Sequence, residues 1–178
     1  MISLPFRRSV RNPTIDSVYG MIVAQARSPV FYRDYGVPDT VEGRFDMIVL
    51  HLVLVLRRLR GISDVVDPVG QQIFDRFCLD MDHNFREMGV GDLAVPKQMR
   101  GVAEAYYGRS GVYEAALAET ADAVPLIEAI ARNVFGQAEA PLGARRLAAY
   151  MHEAARQLAT QELVSGDLRF PDPDQIAE

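Results

Sequence analysis

The segment from about Thr40 to Arg60 constrains the fold of this chain more than any other. It reads TVEGRFDMIVLHLVLVLRRLR. Successive residues of a helix are rotated by about 100°, which gives this segment two opposite apolar faces. One face carries Phe45, Val49, Leu52 and Leu56, and the other carries Met47, Leu50 and Leu54. A surface helix is apolar on one side only, so the segment predicts a central helix that neighbours cover on both sides.

In the rest of the chain, prolines and glycines are spaced as at the starts and ends of successive helices. Proline is tolerated in the first turn of a helix, and glycine accepts the left-handed conformation that follows the last turn. We expect helices to begin at Pro29, Pro68, Pro96, Pro125 and Pro141, and to end at Gly36, Gly61, Gly89, Gly108, Gly136 and Gly166. Apolar residues recur at helical spacing between these positions, whereas strand-like alternation is scarce. The chain is therefore predicted to be all-α.

Short polar side chains stand where they could accept hydrogen bonds from the first free amides of these helices. They are Thr14, Asp39, Asp67 and Asp122. Asp39 also has the spacing to Glu42 of a reciprocal capping box. We therefore expect Asp39 to cap the central helix.

Length, charge and cysteine content bound the class of protein. The 178 residues suffice for one domain with a sizeable core. The net charge of −5 disfavours a nucleic-acid binder, because neutralising phosphates requires clustered Lys and Arg. Cys78 is the only cysteine, which excludes an intrachain disulfide and fits a reducing compartment.

No segment of the sequence predicts a membrane span. The longest apolar run, Met47 to Leu56, is interrupted by His51. As a helix it rises about 15 Å, half the thickness of a bilayer core. We expect a soluble cytoplasmic protein, with peripheral contact at the inner face of the cytoplasmic membrane as a further option.

The first residues, MISLPFRRSVRNP, contain three arginines and no acidic residue. They lack the apolar stretch of a secretory signal. Contact with anionic lipid or with a ribosome is one interpretation of this basic arm. A mobile solvated arm is the interpretation we favour, because three charges give weak membrane affinity at about 1 kcal/mol each.

The segment DRFCLDMDHNFREMGVGD has the highest density of ionisable groups. Asp80, His83 and Glu87 share one helical face, at a spacing that can begin a helical metal site. A di-iron bundle needs such motifs on several helices, and neither His51 nor His152 has a carboxylate three residues before it. We favour a solvated face and keep a metal- or haem-binding protein as the alternative function.

No catalytic constellation stands out in the sequence. There is no G-x-S-x-G elbow, no Cys with a nearby His and no phosphate-binding glycine loop. Tyr106 and Tyr107 are compatible with a ligand wall, but aromatic contacts at a helix C-terminus are the preferred interpretation. His51 is interpreted as a core-edge histidine with hydrogen-bonded ring nitrogens. We expect no cofactor, and a quinone- or small-molecule-binding module would need a closed apolar cavity.

Three long stretches together resemble the ubiquinol–cytochrome c chaperone family. They are YGMIVAQARSPVFYRDYGVPDTVEGRFDMIVLHLVLVLRRLRG, FDRFCLDMDHNFREMGVGDLAVPKQM and AYYGRSGVYEAAL, and they span about Tyr19 to Leu117. The resemblance implies a mostly helical fold and a non-enzymatic role in the assembly of respiratory complex III, ubiquinol–cytochrome c reductase. The chain is similar in length to bacterial members of this family.

The resemblance also implies partners. Mitochondrial members bind newly made cytochrome b, act with a small helical partner protein and associate with the ribosome. For this chain the implied client is cytochrome b or another complex III subunit. A chaperone for such a hydrophobic helical client needs exposed apolar surface, and helix-in-groove capture suits an all-helical binder.

Two sets of residues are candidates for contacting a client or partner, or for supporting the family-like motifs. The charged set is Arg44, Asp46, Asp80, Asp82, Arg86 and Asp92, and the aromatic set around the YGVPDT turn is Phe31, Tyr32 and Tyr35. Charged residues are seldom buried without partners, so we expect Arg44 or Asp46 to pair with the Asp80–Arg86 segment. The aromatic set either rims a client groove or belongs to the core, which is the default.

These expectations divide the chain into three parts. Residues 1–13 form the basic arm, residues 14–165 form a single helical chaperone domain around the central helix, and residues 166–178 form a C-terminal tail.

Overall fold

Helices make up the regular structure of the chain. A computed structural model describes residues 12–60, 68–118, 122–163 and 167–176, and within these ranges there is no strand. The elements are α1 (Pro13–Ala26), α2 (Pro29–Arg33), α3 (Val41–Arg60), α4 (Pro68–Glu87), α5 (Val95–Ala118), α6 (Val124–Asn133), α7 (Leu142–Leu158) and a short 3-10 helix (Pro173–Gln175). The predicted all-α fold is confirmed. Residues 1–11 of the basic arm, the cap at Asp67 and the helix ends at Gly61 and Gly166 lie outside the described residues.

Helix α3 is the centre of the fold. It contacts α1, α4, α5 and α7. Every residue from Met47 to Leu56 is buried, so burial continues around the whole circumference of the helix. The prediction of a central helix covered on both sides is confirmed, because only neighbours on several sides can remove so complete an apolar surface from water.

Arginines at the end of α3 bind the C-terminal ends of two neighbouring helices. Arg57 Nη2 donates to the Leu117 carbonyl oxygen near the end of α5, at 3.4 Å. Arg58 Nε donates to the carbonyl oxygen of Leu158, the last residue of α7, at 3.0 Å. The last carbonyls of a helix have no partner within it and carry partial negative charge, so these contacts stabilise both ends.

Where the structure describes the predicted helix boundaries, they agree with it to within a few residues except at Gly108. Gly36, Gly89 and Gly136 have positive φ angles and follow the ends of α2, α4 and α6. Gly108 instead lies inside α5, between the buried Tyr106 and the buried residues that follow it. Burial of α5 on both sides of Gly108 outweighs the cost of about 0.5–1 kcal/mol for a glycine within a helix.

The cap of α1 differs from the prediction, whereas the predicted acceptor at the start of α6, Asp122, is confirmed. Asn12 caps α1 by accepting from the Thr14 amide at 3.2 Å, so the prediction of Thr14 as the cap is wrong. Asp122 accepts from the Val124 amide, the first of α6, at 2.9 Å. Helix α1 begins one residue before Thr14, because Pro13 has no amide hydrogen to satisfy and fits the first helical position, so the preceding residue Asn12 is the cap.

Asp39 does not cap the central helix, and the predicted capping box is wrong. Thr40 Oγ1 accepts from the Gly43 amide at 3.1 Å, so Thr40 is the capping residue. Asp39 instead accepts from Arg44 Nε at 2.6 Å on the surface. Both side chains can accept from a free amide, and the nearby guanidinium decides which one does.

Backbone carbonyl groups of the loop between α2 and α3 approach Gly43 and Gly143 so closely that neither position has space for a side chain. A Cβ atom on Gly43 would be 2.0 Å from the Pro38 carbonyl oxygen, and one on Gly143 would be 1.9 Å from the Tyr35 carbonyl oxygen. Neither distance is compatible with van der Waals contact. The two glycines therefore hold this loop against the start of α3 and the start of α7.

Residues 167–176 form an extended segment that we call the strap. Leu168, Pro171 and Pro173 of the strap are buried, whereas its charged residues point to solvent. The 3-10 helix within the strap contacts α2. The strap thus covers part of the helical core.

Candidate partner-binding surface

A partly open cleft of about 240 Å³ lies where the end of α3 meets α4 and α5. The residues that line it are Leu56, Leu59, Arg60, Gly70, Gln71, Phe74, Tyr106 and Tyr107. Most of the lining is aliphatic or aromatic, while Arg60 and Gln71 add polar groups. Because the cleft is open, it differs from the closed apolar cavity that a small-molecule module would need.

A chain of aromatic rings leads from the interior to this cleft. Phe45 is 6.3 Å from Phe77 between ring centroids, and Phe77 is 6.3 Å from Tyr106. Phe74 is 4.8 Å from Tyr106, and Tyr107 is 5.3 Å from Tyr106 in an edge-to-face arrangement. Such tilted and edge-to-face pairs hold each ring in a defined orientation. We call these five rings the aromatic ladder.

The aromatic ladder ends at an exposed ring. Tyr106 is buried, and this burial raises the pKa of its phenol above the ordinary value. Tyr107, in contrast, is 66% exposed. Both tyrosines lie in the middle of α5, so their interpretation as contacts at a helix C-terminus is wrong. They instead form part of the wall of the cleft. The error follows from taking Gly108 as the end of the helix.

Arg60 at the edge of the cleft is oriented by α5. It forms an ion pair with Glu114, which also accepts from Ser110 Oγ. Half of the Arg60 side chain is exposed, so this pair contributes little to stability. Its effect is to hold a cation beside the apolar cleft.

A buried ion pair joins α3 to α5. Arg109 Nη2 lies 2.6 Å from Asp46 Oδ1, and the guanidinium lies over the Phe45 ring. Burial raises the pKa of Asp46 to about 6, which outweighs the opposite effect of Arg109. The prediction that Asp46 or Arg44 pairs with the Asp80–Arg86 segment is wrong.

The physical reason lies in which helices face the two charges. Asp46 is on the side of α3 that packs against α5, where Arg109 is within reach. Arg44 is exposed and pairs locally with Asp39. Neither charge therefore needs a partner from the Asp80–Arg86 segment.

Asp80 connects α4 to α1. It accepts a hydrogen bond from the Tyr19 hydroxyl at 2.9 Å, and Arg76 Nη1 lies 3.7 Å from its other oxygen. Burial and the adjacent Asp80 carboxylate both raise the pKa of Tyr19, so its phenol remains protonated and able to donate. Asp80 thus has a structural role between the two helices.

Arg86 organises the end of α4. Its Nε donates to Asp82 at 2.7 Å, and its Nη1 contacts Asp92 in the connection to α5. The carboxylates hold the pKa of the Arg86 guanidinium above its ordinary value, Asp82 most strongly. These three residues lie together on the surface, where they brace the α4–α5 turn.

The structure does not assemble the metal site of the alternative function. His83 Nε2 and Glu87 Oε1 are 3.3 Å apart on the surface, while Asp80 is engaged with Tyr19. Among the residues that the structure describes, no group of three His, Cys, Asp or Glu side chains is placed to hold a metal ion.

Two of the three candidate aromatic residues around the YGVPDT turn are core residues. Phe31 and Tyr35 are buried, and their rings are in edge-to-face contact at 5.4 Å. Tyr32 is half-buried, and its hydroxyl donates to the Ala26 carbonyl oxygen at 2.8 Å. The core interpretation is confirmed for Phe31 and Tyr35, which cannot rim a groove on the surface.

His51 is fully buried in α3, with both ring nitrogens hydrogen-bonded. Nδ1 lies 2.7 Å from the Met47 carbonyl oxygen, which can only accept, so Nδ1 carries the proton. Nε2 therefore accepts from the Tyr150 hydroxyl at 2.9 Å. Burial lowers the pKa of His51 to about 4. The prediction of a satisfied histidine is confirmed, although the residue lies inside the core and not at its edge.

This buried histidine makes the stability of the protein dependent on pH. The unfolded chain binds a proton at His51 near pH 6.5, but the folded protein binds it only near pH 4. Between these values the unfolded state holds more protons, so the free energy of unfolding decreases as the pH falls. The effect is on the order of 3 kcal/mol when complete.

We expect His51→Gln to remove this contribution. The free energy of unfolding of the variant, measured by urea denaturation at several pH values, should decrease less than that of wild type between pH 6.5 and pH 4. Asp46 titrates in the same range with the opposite sign, but it is present in both proteins and cancels in the comparison. The surface substitution His83→Gln is the control, and equal pH dependence in His51→Gln and wild type would contradict the assignment.

Comparison with known proteins decides the family. The profile of a family described as ubiquinol–cytochrome C chaperone matches residues 33–170, more than half of the chain. The chain belongs to the ubiquinol–cytochrome c chaperone family. A crystal structure of the Cbp3 homolog from Brucella abortus is similar, with a TM-score of 0.82, 38% sequence identity, and coverage of 93% of this chain and 92% of that chain. No curated protein sequence matches the chain at a significant level.

The resemblance read from the sequence is therefore confirmed. Membership of the ubiquinol–cytochrome c chaperone family supports a chaperone role in complex III assembly and implies a role without catalysis. The cleft, the aromatic ladder and the Asp46–Arg109 pair all lie within the matched residues. Across the described ranges, none of the helices combines the length and hydropathy that crossing a bilayer requires.

Proposed function

We propose that this chaperone binds cytochrome b, or an assembly intermediate that contains it, at the cleft between α3, α4 and α5. The observation that carries the proposal is the exposed end of the aromatic ladder. Tyr107 is two-thirds exposed beside an apolar cleft, although most aromatic rings of the chain are covered. Exposed aromatic residues next to an apolar pocket are typical anchors of protein interfaces.

The chemistry of the cleft suits an apolar helix. A client helix placed in the cleft would put its side chains against Leu56, Leu59 and Phe74, which line the cleft. The rings behind the surface are held by their neighbours, so little side-chain entropy is lost when the client binds. Arg60 and Gln71 offer donors at the edge for backbone carbonyls or polar side chains of the client.

Under this proposal, some of the charged candidate residues stabilise the helices that form the cleft, and others are available to contact a partner. Asp46 and Asp80 support the helices that form the cleft, because each joins two helices from a buried or half-buried position. Arg44, Arg86 and Asp92 are exposed and remain candidates for contacts with a partner, such as a ribosome or a small helical protein. We place the protein in the cytoplasm, where it would meet its client at the inner face of the membrane.

The proposal predicts that Tyr107→Ala weakens client capture without unfolding the protein. Loss of an aromatic anchor is expected to reduce affinity about tenfold or more. The host gene is deleted and complemented with the variant, and the b-type haem signal of complex III is recorded in reduced-minus-oxidised spectra of membranes. Tyr107→Ala should restore a smaller signal than wild type at equal protein level.

Leu79→Ala is the matched control. Leu79 is 60% exposed on α4, similar to Tyr107, but it does not line the cleft. A photocrosslinking amino acid at position 107 should capture newly made cytochrome b, and one at position 79 should not. Equal complementation by both variants, or equal crosslinking from both positions, would contradict the cleft as the client site.

A further inference from the structure

Side chains outside the strap donate hydrogen bonds to the main chain of the strap at every second residue. Three side chains donate to three successive odd-numbered carbonyl oxygens. The bonds run from Gln161 Nε2 to Arg169 O at 2.8 Å, from Gln25 Nε2 to Pro171 O at 3.1 Å, and from Tyr35 Oη to Pro173 O at 2.8 Å. Gln161 Oε1 also accepts from the Arg169 amide at 2.9 Å. Recognition through the main chain is a property of peptide-binding grooves.

Apolar contacts complete the binding of the strap. The Phe170 ring meets the His51 ring edge-to-face, with centroids 5.1 Å apart. Phe31 and Tyr150 lie next to His51 and form an aromatic floor with it, at centroid distances of 5.5 Å for each. Pro171 and Pro173 are buried against the body. In the strap, the groove thus holds an aromatic residue followed by two prolines at alternate positions.

The strap is extended on either side of its 3-10 helix. Asp172 has φ −69° and ψ 118°, and Ile176 has φ −78° and ψ 115°. Between them the Asp172 carbonyl oxygen accepts from the Gln175 amide at 3.1 Å, which closes the single 3-10 turn. Extended peptide segments are bound in grooves of other proteins through main-chain hydrogen bonds, as the strap is here.

The groove does not depend on the strap for its walls. Helix α3 contacts both α1 and α7 directly, so the helices that carry Gln25, His51 and Tyr150 are joined without the strap. The strap also leaves space beside it: a cavity of about 330 Å³ separates Ala149 and Glu153 of α7 from Pro171 and Ile176. The groove is thus wider than the segment that occupies it.

We propose that this groove is a docking site for extended partner segments of the type aromatic-Pro-x-Pro, which the strap occupies in cis and which exchange with it. The site is distinct from the cleft of the proposed function, on which it does not rest. Partner segments of this type compete with the strap, so their apparent affinity is reduced by the fraction of molecules in which the strap is bound.

A labelled peptide with the sequence DLRFPDPDQI, residues 167–176, is the probe. Phe170→Ala weakens the strap in cis and leaves every groove donor intact. We expect the probe to bind the full-length Phe170→Ala protein about tenfold more tightly than wild type, measured by fluorescence anisotropy. Adding Gln25→Ala should remove that gain, because the probe then loses a donor. A probe with alanine in place of its phenylalanine is the negative control.

Two outcomes would overturn the proposal. One is a folded Phe170→Ala protein that fails to bind the probe, or that binds it equally with and without Gln25→Ala. The other comes from hydrogen exchange in the unmodified protein, which needs no variant. We expect the strap amides to exchange faster than those of α3. Exchange of both only through global unfolding would show that the strap does not leave its groove.

Discussion

Replacement of Arg109 by alanine is expected to lower the free energy of unfolding by about 3–5 kcal/mol at neutral pH. The substitution leaves the Asp46 carboxylate buried without the guanidinium that lies 2.6 Å from it. A buried charge without a partner is costly because the protein interior cannot replace its hydration. Urea denaturation of the variant and of wild type measures the loss.

The dependence of this loss on pH identifies Asp46 as its source. The folded pKa of Asp46, about 6, lies above the unfolded value of 3.8, so this group favours the folded state at low pH and that contribution is lost as the pH rises through 6. Without Arg109 the pKa of Asp46 rises further. The destabilisation should therefore be largest above pH 6 and become smaller as the pH falls and the carboxyl group is protonated.

The control for Arg109 is an arginine in a surface pair. Arg156 contacts Glu153 at 2.6 Å, but the Arg156 side chain is largely exposed. Arg156→Ala should change stability far less than Arg109→Ala at any pH, because solvent screens an exposed pair. A similar small effect in Arg109→Ala, or a loss that does not depend on pH, would contradict a buried ion pair between α3 and α5.

Replacement of Gly143 by alanine is expected to destabilise the protein by about 1–3 kcal/mol or more. The new Cβ would be 1.9 Å from the Tyr35 carbonyl oxygen and 2.9 Å from the Phe135 ring. A backbone carbonyl cannot move aside as a flexible side chain can, so the loop between α2 and α3 must shift. Because the Tyr35 hydroxyl donates to Pro173, the shift should also loosen the strap.

Gly111→Ala is the matched control for this prediction. Gly111 lies within α5, is exposed, and has open space at the position of a Cβ atom. Alanine there should raise the free energy of unfolding by about 0.5–1 kcal/mol, because glycine is a poor helix former. Thermal and urea denaturation of the two variants should thus give opposite signs, and the same sign would argue against the close approach of Tyr35 to Gly143.

The parts of the molecule that could be predicted are those with local signals. The central helix follows from two apolar faces in one segment, and the helix starts follow from proline. Burial of Phe31 and Tyr35 is the default interpretation of the aromatic residues around the YGVPDT turn, and the structure confirms it. Gly108 shows the limit, because its local preference to end a helix is outweighed by the burial of residues on both sides of it.

The parts that could not be predicted depend on which elements meet. The sequence does not identify Arg109 as the partner of Asp46, because the two residues are far apart along the chain. Their pairing depends on how α5 packs against α3. The strap was predicted only as a tail. Its proline pattern is a usable signal for an extended segment, but nothing in it identifies the donors that bind its carbonyl oxygens, which lie on α1, in the α2–α3 loop and just after α7.

The sequence by itself determined the all-α fold, the central position of α3 and the family to which the chain belongs. Periodicity, proline positions and long motifs are read from neighbouring residues, so they need no knowledge of how the chain folds back. Only the tertiary structure decided the Asp46–Arg109 pair, the exposed end of the aromatic ladder and the groove under the strap. Each of these brings together residues from different elements, and their contact depends on the mutual orientation of helices, which is set by burial of the whole core.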